Sequence, residues 1–347
     1  MKLISILSFV FFVLFSSCNS TGNEGFEKEE MLKNIAENLA IPSYEQSLKS
    51  FQQLQELLLQ VEKGPNTENL HELRNSWKSA ALKWSKTAPY RFGPIDELLI
   101  ENNFYYYPID TVKVKQAISS FNNQKNSVER LGSNVQGLGA IEYILFQSEQ
   151  PTKEELAYCG LLSDHLVKLN QQVLDQWINE YSKSFVSNTG SDIGSSLSKL
   201  TNQWIEVIDY IKGDEVGRPA GKTSGIEKNV YNLHAPYSQI SLKIIHAKLS
   251  ALQLSFNGDT KKGVDDYLDH LDIKLSDNIP LQDKINEQIN TLLANSNQEE
   301  PLTQLILEGS KEVDQIYLQS LNLSIIFKTE LMGQLGLVTT FSDSDGD

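Results

Sequence analysis

The chain has only two cysteines in 347 residues, Cys18 and Cys159. A framework of disulfides, such as staples small secreted domains, is therefore excluded, and stability must come from an apolar core. Positive charge is also short: 30 Lys and Arg stand against 45 Asp and Glu, for a formal net charge of −15. Binding a phosphate backbone needs concentrated positive charge, so nucleic acid is not a partner. Period-two alternation never runs long enough to make a strand. No phosphate loop, dinucleotide fingerprint or nucleophile elbow is present. His71-Glu72 is followed by Leu73-Arg74-Asn75, so the second imidazole of a His-Glu-x-x-His zinc site is missing.

What is present is helical spacing. Phe51, Leu54, Leu58 and Val61 step by threes and fours, as do Leu70, Leu73, Trp77, Ala80 and Trp84. Thr152 and Glu155 form a capping box ahead of the stripe Leu162, Leu166, Leu169, Val173 and Trp177. Further stripes are Leu197, Leu200, Trp204, Ile208 and Ile211, and then Leu242, Ile245, Leu249, Leu252 and Phe256. Breakers separate them at Gly64-Pro65-Asn66, Pro89 and Gly93-Pro94, and the run Ser187-Asn188-Thr189-Gly190-Ser191 reads as a linker. Residues 213–232 read as a long polar loop, a length that in compact domains often carries function. The expectation is an all-α protein of two packed helical bundles, residues 31–186 and 190–347.

The N-terminus reads as a targeting segment. Lys2 precedes an apolar run over residues 3–15, too short to span a bilayer comfortably. The run ends Leu14-Phe15-Ser16-Ser17-Cys18, which has the look of a bacterial lipobox. Residues 1–17 are then a signal peptide, Cys18 is the lipidated first residue of the mature chain, and residues 18–30 are a polar tether. Asn19, rather than Asp, after the cysteine favours anchoring in the outer membrane of a bacterial envelope. Cys159, between Tyr158 and Gly160, reads as a small buried apolar residue.

One segment departs from plain core chemistry. Gly137-Leu138-Gly139-Ala140-Ile141-Glu142-Tyr143-Ile144-Leu145-Phe146 reads as an apolar helix with two glycines and a carboxylate near its start. Each glycine inside a helix costs about 1 kcal/mol relative to alanine, and an unpaired buried carboxylate costs more. The segment resembles the Gly-x-His-x-x-Glu signature of the imelysin family, in which His and Glu three residues apart share a helix face. Tyr90-Arg91-Phe92-Gly93-Pro94, Tyr107-Pro108-Ile109-Asp110, Gly217-Arg218-Pro219-Ala220-Gly221 and His234-Ala235-Pro236-Tyr237-Ser238 are similar to further family segments, in the family's order. Leu335-Gly336-Leu337-Val338-Thr339-Thr340-Phe341 and Asp343-Ser344-Asp345-Gly346-Asp347 look like the family's ending. Two positions depart from the pattern: Gly139 replaces the signature His, and His234 replaces a Glu.

The resemblance implies a bacterial envelope protein of two helical bundles with an interdomain cleft, linked to iron regulation or uptake and, in some members, to proteolysis. Iron or another divalent metal, or haem, is then the expected ligand. The expected cleft residues are Glu142, Arg91, Ser238 and Asp110, and a metal would be held by Glu142 together with His234 from the other half. Each has a plainer alternative. Glu142 could accept backbone or tyrosine hydrogen bonds, Arg91 could be a structural ion pair with Glu142 or Asp110, Asp110 could be an N-cap, and His234 a loop histidine in water. The functional alternatives are a binding protein, a metallopeptidase and a non-catalytic envelope scaffold.

Overall fold

The computed structural model describes residues 25–121 and 128–340, so Cys18, the signal segment and the acidic tail lie outside the described residues. Helices account for the architecture, and among the described residues the sole β pairing is an isolated bridge between Lys274 and Pro280. The first half comprises α1 (Lys28–Asn34), α2 (Ile41–Val61), α3 (Thr67–Ser85), α4 (Pro94–Leu98) and α5 (Glu101–Phe104). It continues with α6 (Thr111–Phe121), α7 (Gly137–Gln147), α8 (Lys153–Gln176) and α9 (Ser182–Ser187). The second half holds α10 (Ser196–Tyr210), α11 (Ser241–Asn257), α12 (Val264–His270) and α13 (Leu281–Ser296), then α14 (Leu302–Glu308), α15 (Lys311–Ile325) and α16 (Met332–Gln334). The first helix begins at Lys28, inside the stretch read as tether, and Phe26 packs on Tyr267 at 4.9 Å between ring centroids.

Local chemistry sets these boundaries. Asn66 and Asn69 cap α3 reciprocally, and Thr152 and Glu155 close the expected capping box on α8. Ser195 caps α10 by accepting from the Ser198 amide at 3.3 Å. The stripe predicted around Leu200 and Ile208 does not stop at Tyr210. It runs on through a π-helical segment, Ile211–Gly217, in which Ile211, Glu215 and Val216 are buried. The expected polar loop therefore begins later than Gly213. Glycine and charge concealed the continuation, which an Arg218–Asp214 ion pair of 2.9 Å supports one turn apart.

In the first half α2 packs between α3 and α8, and in the second half α15 packs against α10 and α13. The halves meet where α11 lies on α3 and where α10 and α11 close on the short turn Ala88–Tyr90. The Gln203 amide donates to the Ala88 carbonyl at 3.2 Å across this seam. Apolar packing is continuous from Met31 to Leu337 and crosses it. Large rings fill the first half beside the seam: Trp84 stacks on Phe104 at 4.0 Å, and the Tyr44 hydroxyl donates to the Tyr90 carbonyl at 3.0 Å. Cys159 is fully buried on α8, as its sequence context implied.

Candidate functional site

Helix α7 brings Glu142 to the seam, and its glycines explain how. Gly137 opens the helix at φ 69°, and a Cβ there would lie 2.5 Å from the Phe104 carbonyl oxygen. A Cβ on Gly139 would lie 2.7 Å from the Tyr106 carbonyl oxygen and 2.8 Å from Ile109 Cγ2. The segment carrying Tyr105, Tyr107 and Ile109 thus rests directly on the first turn of α7. It occupies the space that a side chain at position 139 would need. The missing signature His and the close approach of this segment are one feature seen from two sides.

Glu142 is 2% exposed. Its Oε1 accepts from the Tyr237 amide at 3.0 Å, the Ser238 amide at 2.7 Å and the Ser238 hydroxyl at 2.8 Å. Ala235, at φ 63°, turns the chain ahead of these donors. Burial pushes the Glu142 carboxyl up to about 7, against the pull of the Ser238 and Tyr237 bonds. The Tyr105 hydroxyl faces the carboxylate without closing a well-formed bond. A cavity of about 390 Å³ opens beside Glu142, walled by Tyr105, Tyr107, Pro108, Tyr231 and Tyr237.

His234 is placed differently from the expectation. Its Nδ1 lies 2.9 Å from Glu215 Oε1, and Lys248 Nζ bonds the same oxygen. The expected metal pair with Glu142 is not formed, because Glu215 takes the imidazole while Tyr237 and Ser238 take Glu142. Nor is His234 a loop residue in water, since it is 5% exposed. Tyr107 stacks on it at 4.1 Å and Tyr105 meets it edge-on at 4.0 Å. Burial lowers the His234 pKa to about 4, which keeps it neutral near pH 7. Glu215 is held down at about 2, where Lys248 and His234 outweigh its burial. An ionised Glu215 beside Nδ1 makes that nitrogen the donor and leaves Nε2 an acceptor. Nε2 is buried without a partner.

Arg91 and Asp110 take structural posts. The Arg91 guanidinium donates to the Trp84 carbonyl at 2.8 Å and to Thr87 Oγ1 at 3.1 Å, and pairs with Glu101 at 3.3 Å. It also lies on the Trp84 ring, 4.2 Å from the centroid. Its ion pair is thus with Glu101, not with Glu142 or Asp110. Asp110 accepts from the Lys113 amide at 3.0 Å, the capping role open to it, and lines neither cavity at the seam. Of the expected cleft residues, only Ser238 joins Glu142 directly. Arg91 instead lines a second cavity of about 200 Å³ with Glu206, Tyr210, His234 and Lys248. Tyr105 and Tyr107 are common to both cavities.

Sequence reasoning missed Glu215, Lys248, Tyr105 and Tyr107. Lys248 did leave a signal, since it falls three residues after Ile245 and four before Leu252 on the buried stripe of α11. A lysine there needs a buried anion. Glu215 left none beyond its place before Gly217-Arg218-Pro219.

The fold and the seam define a class: an all-α protein whose two halves enclose a buried carboxylate and a neutral histidine on either side of a tyrosine wall. The chain belongs to the imelysin family, whose model matches residues 40–319. It is 26% identical over 216 residues to the iron-regulated protein A of Synechococcus elongatus, a match covering 59% of this chain and 58% of that protein's own length. An imelysin-like protein from Psychrobacter arcticum has the same fold, with a TM-score of 0.76 at 19% identity over 91% of this chain and 97% of that one. A Parabacteroides distasonis protein named as an iron-regulated protein A precursor superposes with a TM-score of 0.74 at 14% identity, again over 91% and 97% of the two chains.

A resident metal would need more donors than the seam offers. Zinc sites take three or four protein ligands, and among the described residues no three His, Cys, Asp or Glu side chains come together. Gly139 has no room for the His that would begin such a set. The residues present do not fit a resident catalytic metal.

Proposed function

We propose that this chain is an envelope lipoprotein that binds a small iron complex, in iron uptake or its regulation, at the Glu142 cavity. The observation that carries the reading is the carboxylate itself, buried on a cavity of about 390 Å³ and held in place by Tyr237 and Ser238. All three of those bonds go to Oε1, which leaves Oε2 outside them. The names of the relatives from Synechococcus elongatus and Parabacteroides distasonis supply the link to iron. A single carboxylate gives a bare ion too few ligands, so the iron must arrive with donors of its own. The metallopeptidase alternative finds no ligand set among the described residues. Anchoring through Cys18 to the outer membrane belongs to the same proposal, on the sequence of the N-terminus.

Calorimetric titration of the mature protein with ferric citrate and with haem tests the reading. One of the two complexes is expected to bind, and Glu142→Gln is expected to weaken it about ten-fold. Binding of neither, or equal binding by the variant, would overturn it.

A further inference from the structure

The second cavity, of about 200 Å³, lies across the tyrosine wall from Glu142 and takes no part in the proposed iron site. Its size admits only a small molecule. The charges around it nearly cancel in pairs: Arg91 with Glu101, and Lys248 with Glu215. Glu206 remains, with no ion pair or hydrogen bond among the described residues. It lines the cavity, and its carboxyl is pushed up to about 7 by desolvation and by Glu101 and Asp96, against the weaker pull of Arg91. A cation placed there would relieve it.

His234 supplies a second, independent observation. It lines this cavity, is 5% exposed, and keeps Nε2 without a partner. With Nδ1 committed to Glu215, Nε2 can only accept. The two unused groups, a carboxylate and an imidazole lone pair, therefore both ask for donors. A bare metal ion is a poor answer, because among the described residues no three ligating side chains come together. Rings favour an organic cation: Tyr105, Tyr107 and Tyr210 line the space, and Tyr210 already faces the Lys248 ammonium at 5.3 Å. A carboxylate on the ligand would find both Arg91 and Lys248 engaged, which disfavours amino acids.

We infer that this cavity binds a small primary alkylammonium ion, with Glu206 as counter-ion and an ammonium N–H donated to His234 Nε2. The inference shares the walls Tyr105 and Tyr107 with the iron cavity but uses neither Glu142 nor Ser238, so it stands or falls without the iron reading.

The test is calorimetry on the mature protein at about pH 8, where Glu206 is ionised. The probes are n-butylamine, its anionic counterpart butyrate, and butyltrimethylammonium, which carries the charge without an N–H. Butylamine is expected to bind, butyrate to fail, and Glu206→Gln to weaken butylamine about ten-fold. Glu206 keeps part of its surface in solvent although its carboxyl is crowded by the cavity wall, so the variant is expected to keep its fold, checked by circular dichroism, and its affinity for the iron complex unchanged. The trimethylated probe is expected to bind more weakly than butylamine by about the same factor. Absence of butylamine binding, butyrate binding as tightly, or indifference to Glu206→Gln would overturn the site. Equal binding of the trimethylated probe would overturn the role given to His234.

Discussion

At the scale of single residues, Gly139 decides more than the carboxylate beside it. In an unencumbered helix, Gly→Ala is worth about 1 kcal/mol in favour of alanine. Here the new Cβ would meet backbone at 2.7 Å and a methyl at 2.8 Å, and the backbone is a poor neighbour to displace. Overpacking of that kind costs roughly 1–3 kcal/mol, so the clash outweighs the propensity. Gly139→Ala is expected to lower the denaturation midpoint, and Gly139→His to lower it further without adding metal to the purified protein. A Gly139→His variant as stable as the parent would show that the Tyr106–Ile109 contact yields easily. Glu142 carries a pH signature. Its folded pKa of about 7 lies above its ordinary value of 4.5, so between the two the folded state holds a proton that the unfolded state has lost. Its contribution to stability therefore falls as pH rises through that window and is level outside it. Glu142→Gln removes that term. The stability difference between variant and parent, followed by urea titration, is expected to shift in the variant's favour between about pH 4.5 and 7. The sequence disclosed Glu142 because a carboxylate among apolar residues is conspicuous. It could not disclose what filled the place of the missing His, since that contact comes from Tyr106 and Ile109, 33 and 30 residues earlier in the chain.

At the scale of elements, helices were legible because their stripes are long and regular. Leu70 to Trp84 and Leu162 to Trp177 are buried at the positions their spacing predicted. Short pieces were less so, and the continuation of α10 into Ile211–Gly217 was hidden by Gly213 and three charged residues. That continuation matters because it delivers Glu215 to Lys248 on α11 and to His234. The three groups tie two helices and a turn together with no exposed member. Removing one partner of a buried ion pair costs about 3–5 kcal/mol, since the other charge is stranded. Lys248→Met is accordingly expected to destabilise the protein by that amount. A double variant with Glu215→Gln is expected to recover part of the loss, and chemical denaturation of both variants measures it. Equal losses in the single and double variants would mean that the lysine acts through packing alone. Acid works on the same cluster. His234, at about 4, and Glu215, at about 2, both titrate in the folded state below their ordinary values of 6.5 and 4.5. The stability they contribute is therefore lost as pH falls, from about 6.5 downward for the histidine and from about 4.5 downward for the carboxylate.

At the scale of the whole molecule, composition excluded more than it identified. Scarce cysteine and a net charge of −15 argue against a disulfide scaffold and against nucleic-acid binding, but the family lay in the order of short segments. The arrangement of the cavities was not legible at all, because it depends on contacts between halves that share no sequence pattern. The proposed anchor is tested on the full chain: Cys18→Ser is expected to move the protein from the membrane pellet to the soluble fraction on cell fractionation. Retention of the variant in the pellet would count against lipidation at Cys18.

The wall of Tyr105, His234 and Tyr107 has a consequence for the molecule as a whole. Because the tyrosines border both cavities, a guest that displaces either ring on one side changes what the other side offers. Linkage then makes the influence mutual: whatever factor the amine imposes on the iron complex, the iron complex imposes on the amine. Through the two shared tyrosines, occupancy of one cavity would then be read out as affinity at the other.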